Sequence, residues 1–258
     1  HIELIDYCKK KNIIFLSTPY DEKSADLLDK LNVAAFKIAS TDTNNLPFLS
    51  YVAKKGKPMI ISTAMTSMDE VIEAAECIKQ YGLDDLAVLQ CTGNYPSEVS
   101  ESNLKVIQSY KKQLKCIVGY SDHTPHLTNA SIATALGAKI YEKHFTIDKK
   151  LPGPDHRMSL DPSELNETIK TIRLAEVALG SDEKEVLDSE LENRLKLRKS
   201  IIALIDINEG KIINEGMVAV MRPGNGISPK HINKVIGKKA LLDISSGTPI
   251  SMEMINDK

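Results

Sequence analysis

Two short stretches of the chain hold side chains able to act on one reacting group, Tyr120-Ser121-Asp122-His123-Thr124 and Glu142-Lys143-His144-Phe145-Thr146. Each histidine follows an apolar run, residues 116–118 before the first and 140–141 before the second, which puts each where a buried strand opens into a loop. Residues 127–137 between them are rich in Ala, Leu and Ile and end at Gly137, the pattern of a short helix. Such a strand-helix-strand unit leaves both histidines at the same end of neighbouring parallel strands, within reach of one metal ion or one substrate. Neutral imidazole is a common ligand for divalent transition metals. Taken alone, the pair is better explained as two hydrogen-bonded strand-end histidines, and only the surrounding motifs shift the balance. Lys37 is one of these surroundings. It sits inside the apolar run 34–39, where an ammonium without an anionic partner is costly, so it points to an anion.

The elements that must position these residues alternate regularly. Residues 2–11 read as a helix and 13–16 as a buried strand that runs into Ser17-Thr18-Pro19-Tyr20. Helix 24–31, strand 34–39 ending in Ser40-Thr41-Asp42, helix 46–54 and strand 58–61 ending in Ser62-Thr63-Ala64-Met65 follow. A capping box, Ser67 with Glu70, opens a helix with Val71, Ala75 and Ile78 on one face and Gly82 as its stop. Strand 86–89 leads to Gln90-Cys91-Thr92, helix 104–114 comes next, and the two histidine strands complete a set of six. Nearly continuous apolar strands alternating with helices are the signature of a parallel sheet covered on both faces. Serine or threonine at one strand end is as well explained by a helix cap as by a ligand contact. Together, the hydroxyls suggest a ring of donors at the C-terminal mouth of a barrel.

Beyond the last strand, 149–157 holds two prolines and a glycine and cannot be regular structure. Asp161, Pro162 and Glu164 form a second helix start, with Leu165, Ile169, Ile172, Ala175 and Leu179 expected on the core face and Gly180 as the stop. The expected organisation is a barrel domain over 1–180, a charged helical linker over 181–198 and a small all-β domain over 199–258. The last rests on short strands at 200–205 and 217–221 separated by glycine-containing turns.

Bulk composition excludes several classes. Of 258 residues, 33 are Lys or Arg and 35 Asp or Glu, so no basic field argues for nucleic acid. No apolar run approaches the roughly 20 residues of a spanning helix, so no membrane partner is expected. The four cysteines, Cys8, Cys77, Cys91 and Cys116, lack zinc-ligand spacing and read as buried thiols. The opening His1-Ile2-Glu3-Leu4 has no basic segment before a long apolar one, and the expected location is cytoplasmic.

Eight motifs in order carry a family resemblance: Ser17-Thr18-Pro19, Lys37-Ile38-Ala39-Ser40, Ile61-Ser62-Thr63-Ala64-Met65, Cys91-Thr92 through Tyr95-Pro96, Ser121-Asp122-His123-Thr124, Glu142-Lys143-His144-Phe145-Thr146, Gly153-Pro154-Asp155 and Arg222-Pro223-Gly224-Asn225-Gly226. The chain resembles the sialic acid (N-acetylneuraminate) synthases and the wider nonulosonic acid synthases that make legionaminic or pseudaminic acid. Its C-terminal part resembles their antifreeze-like (SAF, β-clip) domain. The resemblance implies an α/β fold, a (β/α)8 TIM barrel followed by the small all-β domain, and a transferase of sialic acid biosynthesis. Its reaction would join phosphoenolpyruvate to an N-acetylated amino sugar, N-acetylmannosamine or a 2,4-diacetamido-6-deoxy sugar, giving a nine-carbon 2-keto acid and phosphate.

By the same resemblance Thr18, Lys37, Ser40, Ser62 and Ser121 would bind phosphoenolpyruvate, with Asn94 in place of an asparagine that some members carry one position earlier, where this chain has Gly93. His123 and His144 would hold a divalent metal, manganese in most members, with magnesium or cobalt as alternatives. Asp42 stands where many bacterial members have Glu and would transfer a proton or contact the metal through water. Tyr95 and Asp155 would contact the sugar, and Arg222 would reach across from a partner subunit of a domain-swapped homodimer. Asp122 would bond a backbone group or orient a histidine, and His126 and His156 are expected to be loop residues.

An eight-unit barrel needs two further units before residue 13, and the family's N-terminal glutamate, asparagine and second lysine have no counterpart, so the chain is expected to be N-terminally truncated. A non-catalytic sugar-phosphate binding or scaffold protein, and a phosphoenolpyruvate-dependent synthase of another sugar acid, stand as competing readings.

Overall fold

The computed structural model describes residues 1–255. The chain forms two compact units, the first His1–Gly180 and the second beginning at Ser181. In the first, five strands pair in parallel and in chain order: β1 (Phe36–Ile38), β2 (Met59–Ser62), β3 (Leu86–Cys91), β4 (Ile117–Asp122) and β5 (Ile140–Lys143). A doubly wound sheet reverses its strand order at a switch point, whereas a barrel always steps to the next neighbour. The sheet is therefore a curled half-barrel, and its strand ends all open on one side. α1 (Ile2–Lys10) precedes it, and α2 (Glu22–Lys30), α3 (Leu46–Ala53), α4 (Met68–Lys79), α5 (Val106–Gln113), α6 (Thr128–Ala135) and α7 (Pro162–Leu179) alternate with or follow the strands.

The inner strands form because most of their side chains are buried on both faces. All six residues of β3 are buried, and Phe36, Ile38, Met59, Ile61, Leu86 and Leu89 are almost fully excluded from water. α4 has both arms of the expected capping box, Ser67 Oγ accepting from Glu70 N–H and the Glu70 carboxylate accepting from Ser67 N–H. Its Val71, Ala75 and Ile78 face the core as the periodicity requires.

Gly119 sits at the centre of β4 for a steric reason. A Cβ there would lie 2.4 Å from Leu89 Cδ2 and 2.5 Å from the Ile140 carbonyl oxygen. Gly119→Ala must push β4 away from β5, and an overpacked strand of this kind costs about 1–3 kcal/mol or more. The expected result is a lower urea midpoint with an unchanged slope; a midpoint equal to that of the parent protein would refute it.

The structure corrects the sequence expectation in two places. Residues 13–16 are not a strand: Ile13 and Ile14 are exposed, the Ile13 N–H bonds Cys8 O, and only Phe15 packs on the core. An apolar run becomes a strand only with a ladder partner, and β1 is bonded on one side alone, to β2. The sheet thus has five strands, not six, and its edges are β1 and β5. Next, α7 starts as expected, with Pro162 in its first turn and the Asp161–Glu164 capping box in place, but its inner stripe is Leu165, Thr168, Ile172 and Ala175. Ile169 and Leu179 are exposed, because one helix-packing stripe is narrower than the whole apolar set.

Residues 181–198 are the stretch expected to be a charged helical linker. They fall within the second compact unit, where α8 (Leu191–Leu197) is tied to the turn after β7 (Val218–Met221) by Gly224 N–H to Leu195 O, 2.7 Å. Gly224 permits this approach, since a Cβ there would lie 2.8 Å from Arg198 Cβ. In the same unit β6 (Ser200–Ala203) pairs antiparallel with β7 over a core of Ile201, Ile213, Val235 and Ile250. Among the described residues no helix is long and apolar enough to cross a membrane.

Candidate functional site

Register decides which side chains meet at the open strand ends. Ser121 pairs with Glu142 and Asp122 with Lys143 across β4 and β5. Side chains alternate along a strand, so Ser121 and Glu142 face one way while Asp122 and Lys143 face the other. His123 and His144, one residue further, come back to the side of Ser121 and Glu142. On β1, Lys37 pairs with Ile60, which places it on the same side as Ser62 two residues on.

These residues line one cavity of about 480 Å³, shared by Thr18, Lys37, Ser40, Ser62, Tyr95, Ser121, His123, Glu142 and His144. That volume suits a small, polar ligand. Lys37 Nζ donates to Ser62 Oγ at 2.8 Å and to Ile38 O at 2.9 Å, and lies 3.5 Å from Glu142 Oε2. Burial holds its pKa below the usual lysine range, and the Glu142 carboxylate opposes that shift. Within the protein, the anion that this buried lysine calls for is the Glu142 carboxylate. Glu142 also accepts from Ser121 Oγ at 2.8 Å, while Ser40 Oγ accepts from Ala64 N–H at 2.9 Å.

The two imidazoles stand edge to face with ring centroids 5.3 Å apart. His123 Nδ1 is 2.7 Å from the Thr92 carbonyl, an acceptor only, so Nδ1 carries the proton and Nε2 keeps its lone pair. Burial lowers the His123 pKa and favours this neutral form. His144 Nδ1 lies 3.7 Å from Asp155 Oδ2. Tyr95 stacks over His123 at 4.1 Å and meets His144 edge-on at 5.8 Å, which fixes both rings from above. Among the described residues no group of three or more His, Cys, Asp or Glu side chains could hold a metal. An ion on this pair would take its other ligands from water or substrate.

Several nominated residues lie apart from this cluster. Asp42 does not line the cavity, and its carboxylate accepts from Asn45 Nδ2 at 3.0 Å and Thr41 Oγ1 at 3.4 Å. Asn94 lines an adjoining cavity, where its amide donates to Glu101 Oε2 at 3.0 Å, and Gly93 is the loop residue that reaches the main one. Arg222 belongs to the second unit; its exposed side chain donates through Nε to Leu197 O at 3.1 Å. Asp122 touches neither histidine. It accepts from Thr124 N–H at 2.8 Å, Tyr141 OH at 2.6 Å and Tyr120 OH at 3.3 Å. Of the loop histidines, His156 Nδ1 is 2.7 Å from Thr146 Oγ1, and neither it nor His126 lines the cavity.

Sequence reasoning assigned no role to Glu142 or Cys91. Cys91, with a thiol whose pKa burial pushes up, sits 3.7 Å from His123 Nδ1. Glu142 could have been found from the i, i+2 spacing to His144, which repeats that of Ser121 to His123.

Comparison with known proteins places the geometry in a family. The NeuB family pattern matches residues 1–184 and the SAF domain pattern residues 198–256. The N,N'-diacetyllegionaminic acid synthase of Campylobacter jejuni is 44% identical over 242 residues, 93% of this chain and 72% of that protein. Human N-acetylneuraminate-9-phosphate synthase is 39% identical over 257 residues, 99% of this chain and 71% of the relative. Among solved structures, the spore coat polysaccharide biosynthesis protein SpsE of Bacillus subtilis superposes with a TM-score of 0.67 at 39% identity, covering 100% of this chain and 77% of that one. With a half-barrel whose strand ends gather a lysine, hydroxyls and two histidines, and with a family pattern spanning that whole unit, the chain belongs to the NeuB family and carries a SAF domain behind it.

Proposed function

We propose that the protein condenses phosphoenolpyruvate with an N-acylated amino sugar, forming a carbon-carbon bond and releasing phosphate. One observation carries the reading: Lys37, Ser40, Ser62 and Ser121 converge on the cavity that also holds the histidine pair. Phosphoenolpyruvate brings a carboxylate and a phosphate, and needs fixed charge-assisted donors. The lysine gives a compact charge and the strand-end hydroxyls give short, rotatable donors around it. The relatives support the same reading, since the legionaminic acid and N-acetylneuraminate-9-phosphate synthases above are both synthases of acidic sugars.

The donor set fits a divalent ion. Two imidazoles, with Nε2 of His123 left free by the bond of its Nδ1 to Thr92 O, beside a solvent-open cavity, suit manganese with water or substrate as further ligands. Such an ion, when bound, would supply Lewis acidity that polarises the sugar aldehyde. The residues of the chain do the rest. Lys37 and the serines hold the phosphoenolpyruvate anion with its enol carbon facing the histidines, and Tyr95 and Asp155 flank the place left for the sugar. Thr92 and Tyr95 keep His123 from turning. Arg222 from a second copy is assigned to cover the sugar; it is exposed and donates through Nε to Leu197 O. A domain-swapped homodimer in the cytoplasm is part of this reading.

Phosphate release tests it directly. Incubation with phosphoenolpyruvate, manganese and either N-acetylmannosamine or a 2,4-diacetamido-6-deoxy sugar is expected to release one phosphate per acid formed, and chelation with EDTA to stop it. No sugar-dependent phosphate release with either substrate would refute the synthase reading, and a monomer in sedimentation would refute the shared site.

A further inference from the structure

Glu142 is the one carboxylate inside the cluster of anion-binding donors. Its Oε2 lies 3.5 Å from Lys37 Nζ and its Oε1 accepts from Ser121 Oγ at 2.8 Å. Those two donors come from β1 and β4, and both line the cavity that an anionic ligand would enter. The glutamate is held there by register: Ser121 and Glu142 are Cα partners, so both side chains face the cavity. It is also the more exposed partner, with 40% of its side chain open to water against 12% for Lys37.

We infer that Glu142 is an internal placeholder: its carboxylate occupies the Lys37–Ser121 donor pair in the free protein and is exchanged for an oxyanion of the ligand on binding. A buried ammonium left alone is costly, so the exchange keeps Lys37 charged and paired at every stage. Lys37 loses one carboxylate and gains a ligand oxyanion, while Ser121 Oγ turns its hydrogen from one acceptor to another. No bond is made or broken. Glu142 is then released toward the histidine side, since it precedes His144 by two residues on the same face of β5. There it is a positioning residue. Its negative charge disfavours an anion that fails to take both donors, so the exchange selects ligands carrying more than one oxyanion.

The inference rests on the phosphoenolpyruvate reading for the natural ligand, but its test does not need turnover. Titration calorimetry with phosphoenolpyruvate and, separately, with inorganic phosphate would compare the parent protein with Glu142→Gln, which keeps the side-chain size and removes the charge. Deleting one competing charge at this half-exposed position is expected to tighten both anions roughly tenfold. KM for phosphoenolpyruvate and kcat are expected to fall together, the opposite of what loss of an ordinary ligand contact would give. Glu142→Ala, which leaves more space and no charge, is a second route to the same tightening if the glutamine variant folds poorly. Unchanged or weaker anion binding in a folded variant overturns the placeholder. Tighter binding without sugar-dependent phosphate release in the parent protein would support the placeholder and refute the synthase reading, so the two fail separately.

Discussion

Lys37→Met is expected to abolish calorimetric binding of phosphoenolpyruvate and to lower kcat/KM by at least about a thousandfold, while the protein stays folded. Lys37 is the one ammonium in the cavity whose hydrogen bonds run to groups on the cavity side, Ser62 Oγ at 2.8 Å among them. Its loss removes the charge-assisted contacts of a substrate anion, each worth about 1.5–3 kcal/mol, and two such contacts reach that factor. The fold should survive for a reason visible in the burial. The group left without its counter-charge, Glu142, keeps its bond from Ser121 Oγ, has a side chain 40% exposed and can be solvated. Circular dichroism should therefore be unchanged and the melting temperature only slightly altered. Ordinary phosphoenolpyruvate affinity in the folded variant would remove Lys37 from the site.

Much of this site was legible in the sequence, and the reasons differ residue by residue. The strand-end positions of His123, His144, Ser62 and Ser121 follow from apolar runs that stop at polar residues, because a buried parallel strand must end where its side chains can no longer be hidden. Lys37 is conspicuous because a lysine is improbable inside such a run. Glu142 was not legible to the same degree: the apolar run stops at Tyr141, yet β5 continues to Lys143, and only pairing with β4 keeps it extended and sets its face. Asp42 and Asn94 have the right offset from strand ends but the wrong local backbone. The chain turns into a 3-10 helix at Ser40–Asp42, which swings the Asp42 carboxylate to Asn45, and the loop after β3 gives Asn94 to Glu101. Short-range hydrogen bonds of Asp and Asn compete in this way with any longer-range assignment. Residues 13–16 fail as a strand for the opposite reason. Their pattern is local, whereas a ladder is a property of two segments.

At the buried Asp122–Lys143 pair of β4 and β5, Lys143→Met is expected to destabilise the protein by about 3–5 kcal/mol, and Asp122→Asn combined with it to recover much of that loss. The Asp122 and Lys143 side chains are 0% and 4% exposed, with Oδ2 and Nζ 3.7 Å apart. Lys143 Nζ also donates to Thr124 O, and Asp122 takes the hydroxyls of Tyr141 and Tyr120 besides the Thr124 N–H. Burial pulls the Lys143 pKa down while Asp122 opposes the shift, and it pushes both tyrosines up. Tyr120 OH in turn accepts from Asn129 Nδ2 at 3.3 Å, which also donates to Ser102 Oγ at 2.9 Å, so the network joins β4, β5, α6 and the loop before α5. Removing the ammonium alone leaves a carboxylate in a site closed to water, and the three neutral donors do not replace its counter-charge. Asparagine in the double variant keeps Oδ1 as the acceptor for Tyr120 OH and the Thr124 N–H and turns Nδ2 as a donor toward the Tyr141 hydroxyl, without the charge, which is why the double change should cost less than the lysine change alone. A double-mutant cycle in urea reads the coupling, expected at about 2 kcal/mol or more. Strict additivity of the two single changes would show that Asp122 and Lys143 do not act as a pair. In that case the separation of His123 from His144, one residue beyond each, would have to be set by the backbone ladder alone.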